Sequence, residues 1–437
     1  MSTKESTAPR RRIDWVYSTM PVNIALGPIG TFVQLYLLQT NGVQAGTAYV
    51  TVAVTLFNAI GIPAAIVWGL VTDRLRQRKL IIVTSYAITT VYLFSFFFAT
   101  STSGIIFVYS LVSFISSASA TPLNLLIMET EPKNRWATRF ARLSLISTVG
   151  AILGYALSAF WVQLLPQMII WLTIPLGMLS LISAASSAVL IQEPKFVFEK
   201  EIVVMQRPGF FQRLYASPLI FLNIPRPSDF QRLFKGLRNE LTSYVPLLYI
   251  SIVMFYFGSA FFNTSIVPAL TSHSLTESQV YVVNVVVLVA QVLSFQYAGR
   301  YMANRSLTGV AVQSLVLRGG SYVILGVASV FIPGVWFILP TLVFYPLASG
   351  LAYGIYYTAS NIMVFNSIKG NSHGSSLGVY SAIVGVAITV GSALSGIVSI
   401  YFGFHVTFIL AGVLLAISAL VTERLSKRSP GAENERR

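Results

Sequence analysis

The sequence contains no cysteine and little charge. None of its 437 residues is cysteine, and only 10% are Asp, Glu, Lys or Arg, against about 25% in an average soluble domain. The missing thiols exclude disulfides and iron–sulfur clusters, and His273, His373 and His405 share no metal-ligand spacing. We therefore expect no metal and no cofactor. No nucleotide loop, Ser-Lys arrangement or buried carboxylate pair is visible either, which argues against an enzyme.

What the chain does contain is apolar sequence. Hydrophobic residues make up 55% of it and the mean hydropathy is +0.72. A helix of roughly 20 apolar residues crosses about 30 Å of hydrocarbon. Because lipid offers no hydrogen-bond partners, the backbone N–H and C=O groups must bond to each other, as they do in a helix. We predict an all-α membrane protein with twelve spans, numbered one to twelve in chain order. The predicted spans are 15–39, 46–70, 80–99, 104–127, 143–165, 167–191, 244–270, 278–298, 307–331, 334–360, 375–400 and 404–421.

The formal net charge of +15 is compatible with nucleic-acid binding, but the positions of the charges favour a membrane orientation. Every Lys and Arg except Arg318 falls in alternate connections between spans, and the intervening connections contain none. This positive-inside pattern predicts that both termini are cytoplasmic. We expect a monomer in the plasma membrane, with the lipid bilayer and a small-molecule substrate as partners and no nucleic acid.

The spans fall into two related halves. Weak similarity at an offset of about 230 residues pairs Gly27 with Gly258 and Gly154 with Gly391, which favours a duplicated six-helix unit. Between the halves, Phe230 to Leu241 has the spacing of an amphipathic helix on the inner leaflet. The predicted domains are a cytoplasmic N-terminus (1–14), a six-helix bundle (15–191), a cytoplasmic linker (192–243), a second six-helix bundle (244–421) and a cytoplasmic tail (422–437).

The sharpest motif lies between spans two and three. It resembles the loop signature of the major facilitator superfamily, Gly-x-x-x-Asp-Arg-x-Gly-x-Arg/Lys-Arg/Lys, although Arg76 stands where that family usually has glycine. The matching residues are Gly69, Asp73, Arg74, Arg78 and Lys79. With twelve spans, inside termini and a central linker, the resemblance covers nearly the whole chain. It implies two pseudo-symmetric six-helix bundles.

The resemblance also implies a conformational latch made by Gly69, Asp73, Arg74 and Arg78. A helix-terminal glycine permits close backbone approach, and a carboxylate is stabilised at the N-terminus of a facing helix, here span eleven. Glu129 and Arg135, after span four, are either gate residues that form state-dependent ion pairs or solvated loop charges.

The resemblance further places spans one, four, seven and ten around a central pathway, with spans two, five, eight and eleven beside them. Amides and phenols in these spans suit a neutral or amphipathic solute, although each alone is equally compatible with an interhelical hydrogen bond. The candidate substrate-binding residues are Asn23, Gln34, Asn58, Asn124, Tyr256, Asn263, Asn284, Gln291, Tyr353, Tyr356, Tyr357 and Asn361.

Charge inside the spans is scarce. None of the 14 acidic residues lies well within a span, whereas proton-coupled carriers usually keep an intramembrane carboxylate or histidine. The sequence therefore favours a facilitative carrier, an exchanger or a carrier whose solute brings its own charge, with a proton-coupled efflux carrier as the alternative and a polytopic membrane enzyme or sensor as a different class. Arg318 is the one cation deep in a span, and it either binds an anion or makes a structural, snorkelling contact.

Overall fold

The computed structural model describes residues 14–75, 77–99, 101–132, 135–166, 168–192, 244–303, 305–367 and 373–426. The side chains of some helical residues also lie outside the description, namely 70, 73, 74, 137, 244–246, 365–367, 373–382 and 426. So does the predicted amphipathic helix of the linker. Within these ranges the chain is helical apart from short connections and contains no strand.

The helices agree closely with the predicted spans. Spans one and two are formed by Met20–Leu26 and Ile29–Leu75, which follow a 3₁₀ turn at Trp15–Thr19. Span ten is built from Ile338–Tyr345, a π-helical stretch at Pro346–Ala352, and Tyr353–Ser367. The remaining spans are Arg78–Phe98, Thr102–Thr130, Trp136–Leu164, Thr173–Leu190, Tyr244–Ser272, Glu277–Met302, Leu307–Phe331, His373–Phe402 and Phe404–Ser426.

Spans one and two are joined by a sharp reversal rather than a loop. Eleven stretches of the described chain are long and apolar enough to cross a membrane, and the first, residues 15–69, contains 55 residues. Gly42 interrupts it with φ 73° and ψ 167°, a conformation that favours glycine. After this turn the chain doubles back, since a Cβ on Gly46 would lie 2.8 Å from the Cα of Leu38. The described chain therefore makes twelve crossings.

The two bundles repeat each other in their internal packing. In the first half, Ser187 of span six donates to Ser18 beside span one at 2.9 Å. In the second, Ser418 of span twelve lies 3.0 Å from Ser251 of span seven. These pairs are related by the offset of about 230 residues seen in the sequence. Interhelical hydroxyl bonds and small residues hold helices together in lipid, where apolar burial drives little association.

Glycines bring equivalent helices into close contact in both halves. A Cβ on Gly154 of span five would lie 2.1 Å from the carbonyl oxygen of Ile24 in span one. A Cβ on Gly391 of span eleven would lie 2.7 Å from the carbonyl oxygen of Phe257 in span seven. Spans five and eleven thus pack on the first helix of their own bundle, which confirms the predicted all-α fold of two pseudo-symmetric bundles.

Candidate functional site

A cavity of about 360 Å³ lies among the helices at the level of the middle of span nine. Spans seven, eight, nine and ten form most of its wall, and one residue each comes from span five of the first half and span eleven. Its lining residues are Tyr155, Tyr256, Ser259, Ala260, Asn263, Asn284, Val287, Leu288, Gln291, Arg318, Tyr345, Ser349, Tyr353 and Ile388. The volume is in the range of small-molecule sites.

The irregular middle of span ten gives the cavity part of its shape. The π-helical stretch begins at Pro346, whose ring removes a backbone donor, and such stretches are frequent at functional sites. Gly350 lets span ten approach span eight, since a Cβ there would lie 2.7 Å from the carbonyl oxygen of Val287. The result is that Ser349 and Tyr353 both face the cavity.

Arg318 borders the cavity as its one cation among the described lining residues. Its side chain is almost fully buried, with 1% of the residue exposed. The Nε atom donates to the hydroxyl of Tyr322 at 2.9 Å, and that hydroxyl lies 3.1 Å from the Ser349 hydroxyl. The guanidinium carbon also lies 4.9 Å from the ring centre of Phe255 and 5.2 Å from that of Tyr353.

Five of the twelve candidate residues from the sequence lie on this wall. They are Tyr256, Asn263, Asn284, Gln291 and Tyr353. All five belong to the second half, on spans seven, eight and ten. The structure therefore brings together the amides and phenols of one bundle, with Tyr155 as the contribution of span five.

The four candidates from the first half lie elsewhere. Asn23 donates to the carbonyl of Thr19 at 2.7 Å, and Asn124 is exposed. Gln34 is half-buried, and its side-chain oxygen has no hydrogen-bond partner among the described residues. Asn58 donates to Ser392 of span eleven at 3.2 Å, so it joins the two halves.

The other three candidates on span ten also lie off the cavity wall. Tyr356 is buried and stacks on Phe255 with ring centres 4.0 Å apart. Tyr357 is exposed and stacks on Tyr353 at 5.7 Å, and Asn361 is half-buried one turn further along. Tyr356 and Tyr357 therefore position the aromatic side of the site without bordering the cavity.

Sequence reasoning did not select Tyr155, Ser259, Tyr345 and Ser349, all of which border the cavity. Tyr155 and Tyr345 are phenols in spans expected near the pathway, so residue type and span number together were available as a signal. The two serines carried none, because serine is frequent in all of these spans and most bond to their own helix.

The two halves meet along spans two and eleven and also on the side of the connections that lack Lys and Arg, here called the outer side. Tyr155 of span five and Tyr281 of span eight lie there with ring centres 6.1 Å apart. A Cβ on Gly396 of span eleven would lie 1.8 Å from the hydroxyl oxygen of Thr51 in span two. Tight contacts of this kind close the outer end of the path between the bundles.

The predicted latch is described only in part. The side chains of Asp73 and Arg74 lie outside the described residues. Among the described atoms, none lies within 4 Å of a Cβ built on Gly69, and the side chains at the start of span eleven lie outside the description.

Arg78 and Glu129 form an ion pair within the first half. Arg78 Nη2 lies 2.9 Å from Glu129 Oε1, and Nη1 donates to the Thr72 carbonyl. These contacts tie the ends of spans two, three and four together. Arg135, the other predicted gate residue, is exposed at the start of span five, where Arg139 instead pairs with Asp14 and Glu131.

Comparison with known proteins decides the family. The profile of the Major Facilitator Superfamily matches residues 18–237 and 248–437. The chain belongs to the major facilitator superfamily. It is therefore a multi-pass membrane transporter that binds a small-molecule substrate, rather than an enzyme, and the resemblance carried by the loop motif is confirmed.

Relatives within the superfamily are distant. The "Uncharacterized MFS-type transporter YhhS" of Salmonella typhimurium (strain LT2) is 27% identical over 86 residues, which is 20% of this chain and about a fifth (21%) of that relative. The solved structure of the nucleoside transporter NupG has a TM-score of 0.65 at 12% identity and covers 93% of this chain and 99% of its own.

The xylose transporter XylE from E. coli is similar to the same degree. Its partially occluded inward-open form has a TM-score of 0.63 at 12% identity and covers 93% of this chain and 96% of its own. At such identities the likeness shows the superfamily fold alone.

Proposed function

We propose that this protein carries a small amphipathic solute across the plasma membrane by alternating access through the cavity. The observation that carries the proposal is a chamber at the level of mid-span, walled chiefly by the second bundle with Tyr155 from the first, and lined by Asn263, Asn284 and Gln291 together with tyrosine rings. Amides supply hydrogen bonds and aromatic faces supply apolar contact, which together suit a solute with one polar end. The fold neighbours, named as nucleoside and xylose transporters, handle small polar molecules.

The contacts between the halves suggest which state the structure represents. With both termini in the cytoplasm, as the basic connections indicate, the outer side is extracellular. Contacts at Thr51, Gly396, Tyr155 and Tyr281 then close that side. We take this to be an inward-facing state, from which the bundles rock to expose the cavity outwards.

In the opposite state we propose that the loop between spans two and three engages span eleven. Gly69 permits the approach and Asp73 meets the helix N-terminus, with Arg74 beside it. The lack of any described atom within 4 Å of the Gly69 Cβ position is compatible with a latch that is released in this state. Arg78 and Glu129 hold the ends of spans two to four as one body. Arg135 forms no ion pair with the described residues and serves as a gate residue.

A second candidate is proton-coupled efflux, which one observation favours. Glu277 at the outer start of span eight is half-buried, and its Oε2 atom has no hydrogen-bond partner in the described part of the chain. The hydroxyl of Tyr281, one turn further along the same face, is buried and unpartnered there too. Partial burial without a partner disfavours the charged form of a carboxyl group, so a group in such a place takes up a proton more readily than a paired or solvated one.

Uptake by the purified full-length protein in proteoliposomes tests both candidates. The solutes are uridine, xylose, benzoate and a panel of amphipathic drugs, each with and without an imposed pH gradient. Ala260→Trp should abolish uptake because the indole fills the cavity, which Ala260 lines. Val282→Trp, on the exposed face of span eight, should leave uptake unchanged and serves as the matched control.

Each outcome has a clear meaning. Saturable uptake that Ala260→Trp alone removes supports the proposed carrier. Accumulation that requires the pH gradient selects the proton-coupled candidate, and Glu277→Gln should then remove the gradient dependence. Uptake that survives Ala260→Trp shows that the solute takes another route and contradicts the proposal.

A further inference from the structure

The charge of Arg318 has no counter-ion in the described structure. The ion pairs found there join Arg78 to Glu129, and Arg139 and Arg142 to acids beside the first bundle. None includes Arg318. The Nη1 atom is buried and makes no hydrogen bond within the described residues. An unpaired buried cation is costly in a protein interior, so this position calls for a partner that the chain itself does not supply.

The surroundings of Arg318 hold the guanidinium in place without neutralising it. Three rings face it, those of Phe255, Tyr322 and Tyr353, with centres 4.9, 5.4 and 5.2 Å from the guanidinium carbon. Ring faces attract a cation and offset part of its lost hydration, but they remove none of its charge. The bond from Nε to Tyr322 also fixes the plane of the fork. A fixed guanidinium fork is suited to a planar carboxylate.

Snorkelling does not explain this side chain. Arg318 lies near the middle of the 25-residue helix Leu307–Phe331, roughly 16 Å from its first residue and roughly 20 Å from its last at 1.5 Å per residue. Its guanidinium lies against the rings of Phe255 in span seven and Tyr353 in span ten. Of these two residues, Tyr353 borders the cavity, as Arg318 itself does. Beside it, Gly319 packs against the backbone of Gly412 in span twelve.

The rest of the cavity wall limits the ligand to one negative charge. The other described lining residues are amides, hydroxyls, phenols and apolar side chains, with no second Lys or Arg. A phosphate dianion therefore finds half of the charge it needs, whereas a carboxylate is matched. Val287, Leu288 and Ile388 add apolar wall, which suits a hydrocarbon or aromatic body.

We propose that Arg318 binds the carboxylate of the transported solute, and that the substrate class is small monocarboxylates with an apolar or aromatic body. This inference rests on the proposed transport through the cavity and names the substrate class of the same site. The solute brings the negative charge that the spans lack, and its carboxylate neutralises the guanidinium of Arg318 at the cavity wall.

Binding, measured apart from transport, tests the inference. The probes are benzoate and phenylacetate, their neutral amides benzamide and phenylacetamide, and inorganic phosphate, each titrated against the detergent-purified full-length protein. The readouts are ligand-induced thermal stabilisation and binding of radiolabelled benzoate. The wild-type protein should bind each carboxylate about tenfold or more tightly than its amide, and phosphate should not compete.

Variants assign the preference to the residue. Arg318→Gln should weaken carboxylate binding about tenfold or more and leave amide binding nearly unchanged, while Arg318→Lys keeps part of the preference. Arg305→Gln is the matched control, because Arg305 is exposed and lies over the Tyr301 ring at 4.2 Å, away from the cavity. In the absence of ligand, Arg318→Gln should be at least as thermostable as the wild-type protein, since it removes an unpaired buried charge.

The failures are distinguishable. Equal binding of acids and amides by the wild-type protein, or no saturable carboxylate binding across the probes, overturns the assignment and needs no variant to fold. Loss of thermostability in Arg318→Gln with unchanged benzoate affinity shows a structural role only, which also overturns it. Benzoate that binds through Arg318 but is not taken up by proteoliposomes leaves the carboxylate site standing and contradicts transport.

Discussion

At the scale of single residues, two buried arginines differ in whether the described structure gives them a counter-ion. Arg78 is buried to 7% exposure and has two partners, the Glu129 carboxylate and the Thr72 carbonyl. Arg318 is more deeply buried and has neither a carboxylate nor a full set of hydrogen bonds in the described structure. Removing a charge should therefore have opposite effects at the two sites.

Arg78→Gln should destabilise the protein. The substitution leaves Glu129 partly buried without its partner and frees a backbone carbonyl, which costs about 1–3 kcal/mol. We expect a clear drop in apparent Tm in detergent, measured by tryptophan fluorescence. Lys79→Gln is the matched control, because Lys79 is the next residue and has no ion pair in the described structure. Equal Tm values for the two variants would show that the Arg78 contacts contribute no stability.

Residue type predicted part of the site. The rest could not be predicted, because the sequence does not show which face of each helix points to the cavity. Asn263, Asn284 and Gln291 stood out because amides are rare and informative in apolar spans. Arg318 stood out as well. The sequence did not show which way its side chain faces, because a span surrounded by lipid and other helices is apolar on all faces. Asn23 and Asn124 are equally polar, yet they lie away from the cavity. Only the packing of spans seven to ten decides which amides meet.

At the scale of helices, close contact between neighbouring spans depends on glycine. Span eleven passes span two with Gly396 against Thr51 and Gly385 against Ile62. The sequence showed these glycines, but it did not show which helix they approach, because the same small residues serve contacts within a bundle, as at Gly391. The contact at Gly396 joins the two halves, and so it reports on the state of the carrier.

Gly396→Ala should shift the carrier towards the outward-facing state. The added Cβ would lie 1.8 Å from the Thr51 hydroxyl, and overpacking of this kind costs about 1–3 kcal/mol, or roughly 5- to 150-fold in the ratio of states. The measurement is labelling of Asn263→Cys by an impermeant maleimide added outside, in a chain that has no native cysteine. Labelling should become several-fold faster.

Two further variants serve as a control and as a test in the opposite direction. Gly320→Ala is the matched control, since nothing lies within 4 Å of its Cβ position, and it should label at the parental rate. Asp73→Asn, which removes the acid of the proposed latch, should slow labelling from outside because the outward-facing state loses its support. Identical rates in all three variants would mean that neither contact sets the balance between states.

At the scale of the whole molecule, the distribution of charge predicted the architecture almost completely. Basic residues in alternate connections fix an even number of crossings, and the structure supplies the twelve helices that this pattern requires. The fold was predictable because hydrophobic length and cation position are direct consequences of the bilayer. The site depends instead on the rotational orientation of each of twelve similar helices about its own axis. The sequence of a single span does not show that orientation.

The orientation itself follows from the same charges and has a direct test. Gln44 and Gln77 are both exposed and flank the helix of span two, which separates them by about 50 Å at 1.5 Å per residue. In the chain that lacks native cysteine, Gln44→Cys should react with an impermeant maleimide on intact cells. Gln77→Cys, beside Arg78 and Lys79, should react only after the membrane is permeabilised. The two variants differ only in which end of one helix carries the thiol. Reversed labelling would therefore place the basic connections outside the cell. The closed end of the cavity would then face the cytoplasm.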